Sequence, residues 1–259
     1  MNAEKRQKLE EMKAICRPPG KAAGLSASER IIYKPIGFAF TRLFVKTNIT
    51  PNQVTGIWGL LLVFASLMFL LNCPWLSVLA AVLWIIGLSL DFTDGDIARY
   101  KNIRSKRGTF LDMINHSLTF PLVFICIGLS VYFLYGNVIS VVLGAIAGFS
   151  MVLIMYLPLI FNVANPESQI QMGRSHVVEG KLFKRVETFQ RVMDWNPLGF
   201  MNVFIILLPI TIINVFFTSG IDLFGWFEIS ILGLFLLFYG VSYFAATMGR
   251  IVIMYRGMA

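Results

Sequence analysis

The chain has 259 residues, of which 57% are hydrophobic and 14% charged, and its formal net charge is +8. Soluble domains run at about 45–50% apolar and about 25% charged, so this composition excludes an ordinary soluble domain and the length fits one membrane bundle. The 22 Lys and Arg lie between apolar stretches, which argues against a nucleic-acid face and for a membrane surface meeting anionic lipids or phosphate substrates.

Residues 1–27 are polar and basic and hold no apolar core of signal-peptide length; they read as a frayed or weakly helical tail. Residues 28–46 mix Arg30, Lys34, Arg42 and Lys46 with Ile31, Ile32, Tyr33, Phe38, Phe40, Leu43 and Phe44. That mixture predicts an amphipathic helix on the cytoplasmic surface, with Pro35 placed to kink it. A helix packed as in a soluble protein is the alternative.

Residues 47–259 predict the membrane domain. Three stretches in it are nearly free of charge. Residues 47–90 carry none, residues 108–166 carry only Asp112, and residues 195–249 carry only Asp222 and Glu228. Each is too long for one crossing, which takes roughly 20 residues. Each is broken near its middle, by Asn72-Cys73-Pro74, Tyr135-Gly136-Asn137 and Thr218-Ser219-Gly220. The expected fold is therefore an all-α membrane protein of six helices in three hairpins. Ten Lys and Arg precede Pro51, five lie in residues 99–107, five in residues 174–191, and Arg250 and Arg256 complete the 22. The hairpin tips have none, so the positive-inside rule puts both termini and both basic loops in the cytoplasm. A surface helix is expected around residues 180–193. Asp222 and Glu228 read as solvated tip charges. Cys16, Cys73 and Cys126 are too far apart for metal-site spacing and read as reduced, structural residues.

Ionisable residues inside membrane helices are costly and usually functional. Here they cluster in Asp91-Phe-Thr-Asp94-Gly95-Asp96-Ile-Ala98-Arg99 and in Gly108-Thr-Phe-Leu-Asp112-Met-Ile-Asn115-His116. Asp91, Asp94 and Ala98 share one helical face, and Gly108, Asp112 and His116 share another. A short basic loop joins the two helices antiparallel. At 1.5 Å per residue, Asp91 lies about 12 Å in from Arg99 and His116 about 13 Å in from Arg107, so the two sets reach one depth. Converging carboxylates near lipid need neutralising, which a hard divalent cation with oxygen ligands does. A pair of such ions is the usual arrangement for phosphoryl transfer. Gly95, Ala98 and Gly108 leave room for a nucleotide against bare backbone. Arg99, Arg104, Lys106 and Arg107 are placed to meet phosphate. Asp96 points away from Asp94 and reads as a loop-facing charge. Asn52 is read as the cap of the first membrane helix or as a residue touching the site. Arg174, His176, Lys181, Lys184 and Arg185 read as lipid or acceptor phosphate ligands or as a solvated loop.

The pattern Asp-x2-Asp-Gly-x2-Ala-Arg-x8-Gly-x3-Asp-x3 resembles the signature of the CDP-alcohol phosphotransferase family, carried here by Asp91, Asp94, Gly95, Ala98, Arg99, Gly108, Asp112 and, by position, His116. The segment Ile49-Thr50-Pro51-Asn52-Gln53-Val54-Thr55 also resembles the one many members carry before their first helix. The resemblance covers roughly residues 28–255. It implies a six-helix, commonly dimeric bundle that transfers a substituted phosphate from a CDP-alcohol to a second alcohol and releases CMP. It implies Mg²⁺ or Mn²⁺ held by Asp91, Asp94 and Asp112, with Asp94, Gly95, Ala98 and Gly108 bordering the CMP moiety. At least one substrate would be a lipid, for example CDP-diacylglycerol as donor to a small polar acceptor.

The family's fourth acidic position is His116 here. Three readings stay open. His116 works as base or ligand; Asp96 or Asn115 compensates in a site with altered metal or substrate preference; or the site is crippled or engineered, which as a function class reads as a nucleotide-binding pseudoenzyme or scaffold. A transporter is the third function class, but transporter charges lie at midplane helix breaks, and these lie near one face.

Overall fold

In the computed structural model, residues 3–17, 26, 28–103, 105–165, 199, 201–217, 221–223 and 227–257 are described. Helix α1 spans Ala3–Cys16. A π-helical turn, Glu29–Tyr33, runs into α2, Lys34–Phe44, with Pro35 in the first turn. Pro35 lies inside one continuous helical run, directly after the π turn, where the wider ladder accommodates its missing N–H and its ring. The long helices are α3, Pro51–Met68; α4, Pro74–Tyr100; α5, Lys106–Tyr135; and α6, Val138–Ala164. Then come α7, Asn202–Phe216, the strands β1, Ile221–Leu223, and β2, Phe227–Ile229, and α8, Ile231–Gly257.

Among the described residues, five helices are long and apolar enough to cross a membrane: α3 with its 3₁₀ extension to Leu71, α4, α5, α6 and α8. The first two hairpins predicted from sequence are present. Their tips turn at left-handed Asn72, φ 51°, and Gly136, φ 67°. The third differs. Its first arm, α7, has 15 residues, about 22 Å of helix against a hydrocarbon core of about 30 Å. An antiparallel hairpin pairing Asp222 opposite Glu228 follows. The reason is local. Ser219, Gly220, Asp222 and Gly225 fall between the aromatic pairs Phe216-Phe217 and Trp226-Phe227, so the sequence there is poor in helix formers over several residues. Thr218-Ser219-Gly220, Arg104, and the stretch 166–198 with its basic residues lie outside the described residues.

The chain divides into two compact units, residues 1–62 with 82–116 and residues 63–81 with 117–259. In the first, α2 packs on α4 through its small face. Tyr33, Gly37 and Thr41 are buried. A Cβ at Gly37 would lie 2.5 Å from the Ser89 carbonyl, and Thr93 Oγ1 donates to Gly37 O at 3.0 Å. Ile31 and Leu43 stay exposed. In the second, α5 and α6 approach closely. A Cβ at Gly148 would lie 2.6 Å from Pro121 Cα and one at Gly128 2.6 Å from Ser140 O. Small residues let membrane helices pack backbone to backbone in this way. Thr247 of α8 donates to Ser150 O of α6 at 3.2 Å.

Candidate metal and nucleotide site

The first unit assembles the charged residues. Asp91 and Asp94 sit in the C-terminal half of α4, and Asp112 and His116 in the N-terminal half of α5. One donor atom each from Asp91, Asp112 and His116 lies within 4.8 Å of the others. His116 Nε2 is 3.5 Å from Asp91 Oδ1 and 3.4 Å from Asp112 Oδ1. The four-residue spacing of Asp112 and His116 puts them on one face. Phe110, Ile114 and Leu118 occupy the exposed side of the same helix.

Asp94 is engaged differently. Its Oδ2 accepts hydrogen bonds from Thr55 Oγ1 at 2.7 Å and Trp58 Nε1 at 3.0 Å. Trp58 also lays its ring beside the His116 imidazole, centroids 5.0 Å apart. Asn115 Nδ2 donates to Thr55 O at 2.7 Å. Helix α3 is thus the wall that orients both Asp94 and His116. Neither Thr55 nor Trp58 stood out as a site residue in the sequence. The available signal was their spacing of three, which turns a hydroxyl and an indole N–H to one face of an otherwise apolar run.

Three other expectations resolve geometrically. Asn52 does not cap α3. Thr50 does, in a reciprocal box where Thr50 N donates to Gln53 Oε1 at 2.9 Å and Gln53 N to Thr50 Oγ1 at 3.3 Å. The side chain of Asn52 instead faces α5, where a Cβ on Gly108 would come within 2.7 Å of its Oδ1. Asp96 is not a loop-facing charge. It is 3% exposed and paired with Arg99 at 2.6 Å and Arg17 at 3.4 Å. A wheel angle of 200° from Asp94 does turn it from the cluster, but α1 and α2 cover that side. Asp96 and Asn115, both engaged elsewhere, do not replace the missing fourth carboxylate. Arg99 donates from Nε to Cys16 O and from Nη2 to Asp96, so only part of its guanidinium is free for phosphate. Arg107 lies exposed in the first turn of α5.

The donor set suits a divalent cation. The two carboxylates are hard oxygen ligands of the kind Mg²⁺ or Mn²⁺ takes, whereas the imidazole suits a borderline ion better than Mg²⁺. One imidazole nitrogen stands between Asp91 Oδ1 and Asp112 Oδ1, at 3.5 and 3.4 Å, so two carboxylates crowd a single partner, and a cation would relieve that crowding.

Residues 48–218, more than half of the chain, match the CDP-alcohol phosphatidyltransferase family. The chain belongs to that family. The match makes it a membrane transferase of phospholipid synthesis, and the motif residues that carried the resemblance fall within the matched segment. A protein of Aquifex aeolicus (strain VF5), described as uncharacterized, is 28% identical over 187 residues, covering 71% of this chain and 87% of that protein. For this transferase the α4–α5 cluster is the candidate active site.

Proposed function

We propose that the protein transfers a substituted phosphate from a CDP-alcohol, such as CDP-diacylglycerol, to an alcohol hydroxyl and releases CMP, using Mg²⁺ or Mn²⁺. The observation that carries this is the convergence of Asp91, Asp112 and His116 from two adjacent helices to within 4.8 Å. Asp91, Asp112 and His116 would hold the cation, with Asp94 completing the set from its seat on Thr55 and Trp58. When bound, the cation neutralises pyrophosphate charge and makes phosphorus more electrophilic.

The acceptor oxygen bonds to the phosphorus bearing the donor alcohol, the bond from that phosphorus to the bridging oxygen breaks, and CMP leaves. The hydroxyl proton passes to the cluster, where the His116 imidazole serves as the base. Gly95, Ala98 and Gly108 border the cytidine, and Arg99, Arg104 and Arg107 meet phosphate. The protein works as a six-helix homodimer, α7 being the fifth crossing, with the site and both termini cytoplasmic. Residues 28–46 rest on the bilayer surface, in keeping with the exposed Ile31 and Leu43 beside Arg42.

Purified protein assayed for CMP release with Mg²⁺ or Mn²⁺, across a panel of CDP-alcohols and acceptors, tests this. Asp91→Ala, Asp94→Ala and Asp112→Ala should each abolish release; full activity in these variants overturns the assignment. A second reading, nucleotide binding without turnover, follows from His116 at the fourth acidic position. It expects a silent parent that gains activity as His116→Asp.

A further inference from the structure

We propose that Arg17 and Asp96 are positioning residues that hold the Arg99 guanidinium against Gly95, at the edge of the cytidine nucleotide; this rests on the function proposed above. The family match begins at residue 48, so Arg17 and α1 lie outside it, and Asp96 fills a position the motif leaves open. Family membership therefore gives neither residue a role.

The structure ties them together. Asp96 is nearly sealed from solvent and takes three donors. Arg99 Nη2 approaches Oδ1 at 2.6 Å, and Arg17 Nη2 and Thr41 Oγ1 each approach Oδ2 at 3.4 Å. Arg17 Nη2 also donates to Lys34 O, and its guanidinium stacks 4.9 Å over the Phe38 ring. Arg99 Nε donates to Cys16 O at 2.6 Å, the last carbonyl of α1, where the helix dipole favours a cation. Arg99 is thus gripped on two edges. The grip presses its guanidinium onto Gly95, where a Cβ would lie 3.3 Å from both Nη1 and Nη2. Nη1 has no acceptor among the described residues. One carboxylate shared by two guanidiniums leaves a net positive charge at that spot, suited to a nucleotide phosphate. Neutralising Asp96 would leave two cations facing each other, and α1 would lose its anchor.

Cys16 reports on that anchor. It is fully buried, and burial together with the Asp96 charge pushes its thiol up to about 11. An unexposed, protonated thiol resists alkylation, so labelling reads the undocking of α1 independently of turnover.

The test uses the full-length protein in detergent. N-ethylmaleimide labelling of Cys16 is resolved by peptide mass, and CMP binding is measured by calorimetry. Asp96→Asn and Arg17→Ala should speed Cys16 labelling and weaken CMP about tenfold, the scale of one charge-assisted contact. Donor KM should rise with kcat retained. Arg17→Lys should restore both, and Lys13→Ala, exposed on the same helix, should change neither. Arg17 is partly exposed and precedes the membrane helices, so its variant serves if Asp96→Asn fails to fold. Cys16 labelled with CMP binding at the parent level would overturn the proposal, as would Cys16 still protected in both variants. An unaltered protein that binds no CMP overturns the functional reading and this one with it, a result distinct from either of the others.

Discussion

The indole of Trp58 donates to Asp94 and lays its face beside His116, so one side chain sets two site residues. Trp58→Phe separates the two contacts, keeping an aromatic face and deleting the donor. A hydrogen bond to a charged group is worth about 1.5–3 kcal/mol, so kcat for CMP release should fall roughly tenfold to a hundredfold. The melting temperature, measured in parallel, should move little, because an aromatic ring still fills the site. His116→Asp tests the other contact. It adds a fourth carboxylate to Asp91, Asp94 and Asp112, so metal-free protein should melt lower through like-charge repulsion. The stabilisation by Mn²⁺ should reach its midpoint at lower concentration. Equal midpoints in parent and variant would mean that residue 116 does not face the cation. Asp91, Asp112 and His116 were legible in the sequence because ionisable groups are conspicuous among apolar neighbours. Thr55 and Trp58 were not, since both residue types are ordinary in a membrane helix. The setting of Asp96 was hidden for another reason: its partner Arg17 is 79 residues away in sequence.

At the scale of elements, α3 and α5 meet at two glycines. A Cβ at Gly59 would fall 2.5 Å from Asn115 Nδ2, and one at Gly108 would fall 2.7 Å from Asn52 Oδ1. The first contact lies beside the Asn115–Thr55 bond, so packing and site geometry share residues. Gly59→Ala should force Asn115 aside at a cost of about 1–3 kcal/mol, read as a melting temperature lower by several degrees. CMP release should fall with it, because Thr55 also holds Asp94. An unchanged melting temperature with unchanged turnover would show that the α3–α5 approach is looser than described. The sequence showed that these helices exist, through uncharged runs and their breakers. Which faces touch depends on glycines whose value appears only once a partner helix is against them. Sequence also could not place the end of α7, since its apolar run continues past the helix into the β1–β2 hairpin.

Across the whole molecule, charge and hydropathy bear on orientation. Every Lys and Arg falls outside the two described hairpin tips, and the loop between α4 and α5, beside the candidate site, is basic. Moving such a loop across a bilayer is opposed both by the cost of burying cations in hydrocarbon and by their attraction to the anionic inner leaflet. The tips at Cys73 and Val138 should therefore face outward and Ile103, exposed in the basic loop, should face inward. A membrane-impermeant maleimide applied to intact spheroplasts should label Cys73 and a Val138→Cys variant directly, and an Ile103→Cys variant only after permeabilisation. Cys16 and Cys126 are buried and contribute little background. The outcome matters for chemistry as well as topology. The loop bearing Ile103 joins the two helices that carry Asp91 and Asp112, so the side on which Ile103 is labelled is the side from which a water-soluble nucleotide reaches the carboxylates. Labelling of Ile103→Cys in sealed cells would place the site outside and remove the cytoplasmic supply of CDP-alcohol on which the proposed reaction depends.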